Sequence, residues 1–213
     1  MRIPDPEPDA IMMRRCVALA QSAGKSGEYP FAVVIARRGE FICESLNMVR
    51  VEGDVTRHAE MVVIASAQKK LRATSLDDCT LYSTVEPCAM CSYAIRETRI
   101  GRVVFSLRSP VMGGHSRWKV LSDSNLSSTL PEVFARPPIV LSGYLQHDVE
   151  AIFQKRNPLT WQFMKARKIF VASSDGESVD ILNTRSRPGH WSSLANSLAS
   201  VVRAVVLDRL WRG

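Results

Sequence analysis

The sequence predicts an α/β fold: a three-layer α/β/α sandwich around a five-stranded mixed sheet, with a helical C-terminal tail. Three observations carry this. Short apolar runs of strand length alternate with longer segments of helical period. The first two strand candidates are joined by the short turn Arg37-Arg38-Gly39-Glu40, which makes them an antiparallel hairpin, while helices separate the later ones. The length of 213 residues suits one sizeable core plus an appendage.

Taken in order, Pro8-Asp9 opens a helix from Ala10 to Ala23. Ile11, Val17, Leu19 and Ala20 recur at helical spacing, and Gly24 and Gly27 end it. Phe31–Ala36 and Phe41–Leu46 read as the hairpin strands. A loop from Asn47 to Thr56 leads to a helix opening at His58 and running to Lys70. Cys79–Thr84 is a third strand, feeding a helix from Cys88 to about Glu97 in which Pro87 is expected at the first helical position. Arg102–Phe105 and Ile139–Ser142 are the fourth and fifth strands. A helix from Asp148 to Lys168, broken before Pro158, closes a domain of residues 1–171.

Residues 172–213 read as a linker and tail. Leu194, Leu198, Val201, Val202, Val205 and Leu210 give an amphipathic helix there. Its polar face has few cations, so packing on protein is expected over membrane binding. The latest apolar segment is interrupted by Arg203 and Asp208, and no membrane span is expected. The N-terminal stretch Met1–Pro8 is proline-rich and acidic, unlike a signal peptide.

The net charge of +7 is compatible with nucleic acid or anionic substrates but selects neither. Of five cysteines, Cys16, Cys43 and Cys79 sit in apolar patterns as small buried hydrophobes. Nothing suggests a disulfide framework, and a reducing, cytoplasmic setting is expected.

The chemistry concentrates between Thr56 and Cys91. Cys88 and Cys91, three apart, share one helix face in its first turn, where the helix dipole favours thiolates. With His58 they make three good Zn2+ ligands, one fewer than a closed structural site requires. The open position suits a water, and Glu60 supplies a carboxylate to move its proton. Other readings remain. A redox C-x-x-C would need neither His58 nor Glu60. A zinc ribbon would recruit Cys79 or His115 as fourth ligand. A Cys88–His58 nucleophile pair would leave Cys91 and Glu60 without a task. His147 and His190 fall in no ligand pattern and read as surface residues.

The combined pattern, His58-Ala59-Glu60 with Pro87-Cys88-Ala89-Met90-Cys91 after it, is the signature of zinc-dependent deaminases. With Pro30-Phe31, Asn47, Leu81–Glu86 and Arg99–Phe105, the chain resembles the cytidine and deoxycytidylate deaminase superfamily. It resembles most the branch of tRNA-specific adenosine deaminases, guanine deaminases and yeast-type cytosine deaminases. The resemblance implies a cytidine deaminase-like fold, with Zn2+ on His58, Cys88 and Cys91 and Glu60 as catalytic proton shuttle. It further implies Asn47, Phe31 and the backbone N–H of Ala59 as substrate-binding groups, and a homodimer. Core packing is the competing reading for Phe31, and a turn role for Asn47.

The chain departs from the branch at Ala32, where glycine is usual. It departs again at Ser106–Trp118, where tRNA adenosine deaminases carry an aspartate and a Lys-Thr-Gly-Ala stretch. Arg108, His115, Arg117 and Trp118 read either as a substrate lid or as cover for the core or a dimer contact, and Gly113-Gly114 as a flexible joint. On that departure, the expected substrate is a small base or nucleoside with a guanine-like or cytosine-like ring. A tRNA adenosine is the second expectation, and a non-catalytic zinc scaffold the third.

Overall fold

The structure is a computed structural model that describes residues 6–172. The expected linker and amphipathic tail helix lie outside the described residues.

Helix α1 (Pro6–Ser22) runs into a 3-10 turn (Ala23–Ser26). Strands β1 (Ala32–Arg37) and β2 (Glu40–Leu46) come after it, then a single-turn helix α2 (Val49–Glu52). Helix α3 (Ala59–Leu71), strand β3 (Cys79–Val85), helix α4 (Ala89–Glu97) and strand β4 (Arg102–Leu107) come next. A short helix α5 (Ser124–Thr129) precedes strand β5 (Ile139–Ser142) and helices α6 (Gln146–Arg156) and α7 (Pro158–Ala166).

The five strands form one sheet in the order β2-β1-β3-β4-β5. β1 is antiparallel to both β2 and β3, while β3, β4 and β5 are parallel. The expected mixed sheet is therefore present, hairpin included. The central strands are buried on both faces and alternate between two cores. Val33, Ile35, Leu81, Val103 and Phe105 pack with Ala59, Val63, Ala67 and Ile95 from α3 and α4. Val34, Ala36, Tyr82 and Val104 pack with Met12, Met13 and Cys16 of α1. That alternation is the period of two that a strand imposes, and it makes the three layers. Each such aliphatic side chain contributes roughly 1.5–3 kcal/mol on burial.

Some expectations shift. The Asn47–Thr56 loop holds α2, whose first N–H groups Glu28 receives. The expected break before Pro158 is present: α6 and α7 meet at Asn157, whose side chain accepts from Thr160 N–H and restarts the chain. Pro87 lies one residue before the N-cap Cys88, so it is not the first helical residue. α5 is capped by Asp123 and stands where the sequence offers no helical signal, since SNLSST has no apolar period.

The α1 layer is tied to the sheet by one buried polar cluster. Asp9 accepts two bonds of 2.6 Å from the Arg102 guanidinium and one of 2.8 Å from Tyr82 Oη. Burial alone would raise the Asp9 carboxyl, but the bonds from Arg102 and Tyr82 outweigh it and hold it below the usual carboxylate range. Asp9→Ala leaves the half-buried Arg102 without its counter-charge and is expected to cost about 2–3 kcal/mol in urea unfolding, below the full cost of breaking a buried pair. Because the folded carboxyl is lowered, this stability is fully present above the unfolded carboxyl pKa of about 4. It is lost as pH falls through the lowered folded value. The difference in stability between wild type and Asp9→Ala should therefore shrink in acid.

Candidate metal centre and active site

Two helix N-termini meet at one edge of the sheet. β2 and β3 both run antiparallel to β1, so they run parallel to each other, and their C-terminal ends share that edge. The chain leaving β2 reaches His58, and the chain leaving β3 reaches Cys88. Both residues are N-caps in extended conformation, with φ/ψ of −61/148° for His58 and −68/175° for Cys88. An extended N-cap turns its side chain off the helix axis while the first-turn N–H groups stay open. Cys91 stands in the first turn of α4.

The three ligand atoms converge. Cys88 Sγ and Cys91 Sγ are 3.6 Å apart, and each lies 3.5 Å from His58 Nδ1. For tetrahedral zinc with ordinary Zn–S and Zn–N bonds, the S···S edge is roughly 3.8 Å and the S···N edge roughly 3.6 Å. The triangle therefore fits a zinc ion in both donor type and size. Among the described residues, His58, Cys88 and Cys91 are the one group of three or more such side chains placed to share a metal. Neither Cys79 nor His115 joins it, so the zinc-ribbon reading finds no fourth ligand. Cys79 is buried at the start of β3 beside Asp78.

The charges of the ligand set are matched to a cation. The Cys91 thiol and His58 bond to Cys88 and bring its thiol down to about 4. Cys91 is pushed up by that shared hydrogen bond and by burial. Thiolate ligands must be deprotonated to hold a metal, so metal binding would release protons from this pair. Glu60 lies beside them, its Oε2 3.5 Å from Cys91 Sγ. Burial, then the Cys88 thiolate, raise its carboxyl to about 7.

Of the expected substrate residues, Asn47 is buried at the end of β2. Its N–H donates to Phe31 O, and the next residue, Met48, donates to Arg57 O beside His58. Ala59 is fully buried as the first residue of α3, where its N–H has no intrahelical acceptor. Phe31 sits in an aromatic cluster, its ring centroid 5.8 Å from those of Tyr29 and Phe153 and 5.9 Å from Phe170. Phe31 itself is half-buried within that cluster.

Comparisons with known proteins place this geometry. The profile of the cytidine and deoxycytidylate deaminase zinc-binding region matches residues 6–107. A tRNA-specific adenosine deaminase of Haemophilus influenzae is 36% identical over 150 residues, covering 70% of this chain and 84% of that one. The chain belongs to the cytidine and deoxycytidylate deaminase superfamily. A probable cytosine deaminase of Schizosaccharomyces pombe is 30% identical over 146 residues, 68% of this chain and 83% of its own. A solved structure from work on A-to-I editing by tRNA:A34 deaminases has a TM-score of 0.59 and 32% identity. It is covered to 97% by 66% of this chain. Coverage of other relatives is smaller: the chain spans 63% of a tRNA-specific adenosine deaminase of Aquifex aeolicus and 8% of the chloroplastic tRNA(adenine(34)) deaminase of Arabidopsis thaliana.

This superfamily member carries a second buried carboxylate that the motif alone does not single out. Glu86, just before Pro87-Cys88, accepts from the N–H groups of Ser109, His115 and Ser116 and from Ser116 Oγ, at 2.5–2.9 Å. These bonds draw the 109–116 segment onto the metal turn. There Gly113 makes a bridge with Cys88, and Gly114 N–H donates to Pro87 O. Gly113-Gly114 is therefore a close contact and not a flexible joint. A Cβ on Gly113 would overlap the Glu86 carboxylate, and one on Gly114 would overlap the Ser92 side chain. Beyond it, Arg96 of α4 is 1% exposed and donates to Val120 O, Asp123 O, Ala135 O and Ser127 Oγ. His115 is half-buried against Phe105, and burial lowers its pKa. Arg117 and Trp118 are exposed. The available signal for Glu86 is a carboxylate abutting the C-x-x-C turn.

Gly113→Ala is expected to destabilise by about 1–3 kcal/mol, the cost of an overpacked contact, and to weaken zinc retention in a chelator competition. Cys91→Ser is expected to lose stoichiometric zinc by metal analysis. Chelation of zinc from the wild type should lower its melting temperature, because an ion bound to the folded state alone stabilises it.

Proposed function

We propose that this chain is a zinc-dependent hydrolytic deaminase whose substrate is an adenosine of a tRNA loop. The observation that carries the chemistry is the triangle of His58, Cys88 and Cys91 with Glu60 buried against it. The RNA assignment is supported by the likeness to tRNA-specific adenosine deaminases across most of their length. The net charge of +7 suits a phosphodiester partner. This reverses the order expected from the sequence, where a free base stood first. The Lys-Thr-Gly-Ala stretch is absent, but the segment in its place is built onto the metal turn by Glu86.

Zinc held by the three ligands would supply Lewis-acid activation of a water. Glu60 takes the proton of that water as it adds to the ring carbon bearing the amine. It passes that proton to the ring nitrogen, then moves the remaining proton of the added hydroxyl to the departing amine as the C–N bond breaks, so that adenosine and water give inosine and ammonia. A carboxyl raised to about 7 is matched to both halves of that task near neutral pH. The Ala59 N–H and the Asn47 side chain hold the nucleoside, at its base or its sugar, once it is flipped out of its loop into the pocket.

A second reading has its own support. The Schizosaccharomyces pombe relative points to a free cytosine-like ring. The experiment incubates zinc-loaded protein with tRNA and scores inosine after nuclease digestion, beside ammonia release from a panel of bases and nucleosides. Inosine in tRNA supports the first reading, and ammonia from a free base without inosine supports the second. Glu60→Gln should keep zinc and fall by about a thousandfold or more in turnover, in line with loss of a general acid–base group. Full activity in that variant would overturn the mechanism.

A further inference from the structure

We propose that Glu28 is a positioning residue that locks the amide of Asn47, so that Asn47 offers the substrate an acceptor oxygen. This rests on the reading of Asn47 as a substrate contact. Glu28 is 1% exposed and Asn47 8%. Glu28 Oε2 accepts from Asn47 Nδ2 at 2.9 Å, while Oε1 accepts from the N–H groups of Arg50 at 2.8 Å and Val51 at 3.1 Å.

A carboxylate only accepts. Turning the Asn47 amide over would set two oxygens against each other in a buried, low-dielectric place. The amide nitrogen is therefore committed to Glu28, and Oδ1 is left without a donor among the described residues. The backbone is fixed as well, by Asn47 N–H to Phe31 O and Met48 N–H to Arg57 O, one residue before His58. An oxygen held this way selects a substrate atom that carries hydrogen, such as a hydroxyl or an N–H, over a bare ring nitrogen. A Glu28 that only capped α2 would need one oxygen. The second is spent on Asn47.

The decisive pair of variants exchanges the chemistry. In Glu28→Gln the side-chain oxygen keeps the Arg50 and Val51 N–H groups, so its amide nitrogen meets Asn47 and forces that amide over. Glu28→Gln combined with Asn47→Asp restores the hydrogen bond, the net charge and an acceptor toward the substrate. Zinc content, melting temperature, kcat and KM on tRNA and on the base panel are measured for full-length protein. Side-chain amide 1H–15N spectra are recorded in parallel, with the Asn47 signal assigned by its loss in Asn47→Asp.

Glu28→Gln is expected to lower kcat/KM by roughly a hundredfold, chiefly through KM, with zinc retained, and the double variant to recover to within about tenfold of wild type. The Asn47 amide signal should be displaced in wild type and move toward the free-amide position in Glu28→Gln. Wild-type kinetics in Glu28→Gln, or no recovery in a folded double variant, overturns the proposal. Should the wild type deaminate nothing, the functional reading fails, and the spectra alone judge Glu28: an Asn47 signal indifferent to Glu28→Gln refutes the lock. Should Glu28→Gln fail to fold, a folded and active double variant sustains it and an inactive one overturns it.

Discussion

The site depends on one topological constraint: β2 and β3 run the same way on either side of β1. A hairpin and then a crossover through α3 produce that arrangement. It sends two chain segments out of the same sheet edge, each into a helix. The N-termini of α3 and α4 then oppose each other, and their caps, His58 and Cys88, come within 3.5 Å. Reversing either strand would carry one ligand to the far edge. The positive helix ends favour thiolate sulfurs, and a cation binds them in turn. Edges of this kind are where α/β sheets place ligands.

The chain beyond β4 is organised from that centre outward. Glu86 and Arg96 bracket the metal-bearing helix, one before its first turn and one in its last. Glu86 gathers backbone donors from the 109–116 segment, and Arg96 gathers carbonyl acceptors from residues 120–135. A loop of that length has many backbone groups to satisfy, and two charged side chains satisfy much of it. Both charges are themselves buried, so each is costly without its partners. Loop and metal helix are thus mutually required: the loop answers the charges, and the charges hold the loop.

The sheet and the metal ligands were legible because both rest on local pattern. The apolar runs through Val33-Val34 and Val103-Val104 write strands buried on both faces into the sequence, and C-x-x-C writes one helix face. The single-turn α2 and the short α5 were not legible. Each is held by a tertiary or cap bond, Glu28 for α2 and Asp123 for α5, and neither carries an apolar period. Gly113-Gly114 was legible as glycine but not as contact, since a sequence cannot distinguish freedom of dihedral from closeness of approach. Glu28 and Glu86 escaped because a lone glutamate says nothing of its donors. The family resemblance pointed to the chemistry, and the short motif is common to several substrate branches.

Those donors separate three buried glutamates of one residue type into three tasks. Glu86 meets three backbone N–H groups and a hydroxyl, so its charge is fully answered and it can only hold. Glu28 meets two backbone N–H groups and one amide, and holds with an orientation. Glu60 is the least answered: a thiol at 3.5 Å, a thiolate nearby, and burial. Its raised carboxyl results from burial first and from the Cys88 thiolate second. The fold therefore gives a weak sulfur donor to the carboxylate that lies against the metal ligands, and backbone N–H donors to the two that shape its surroundings.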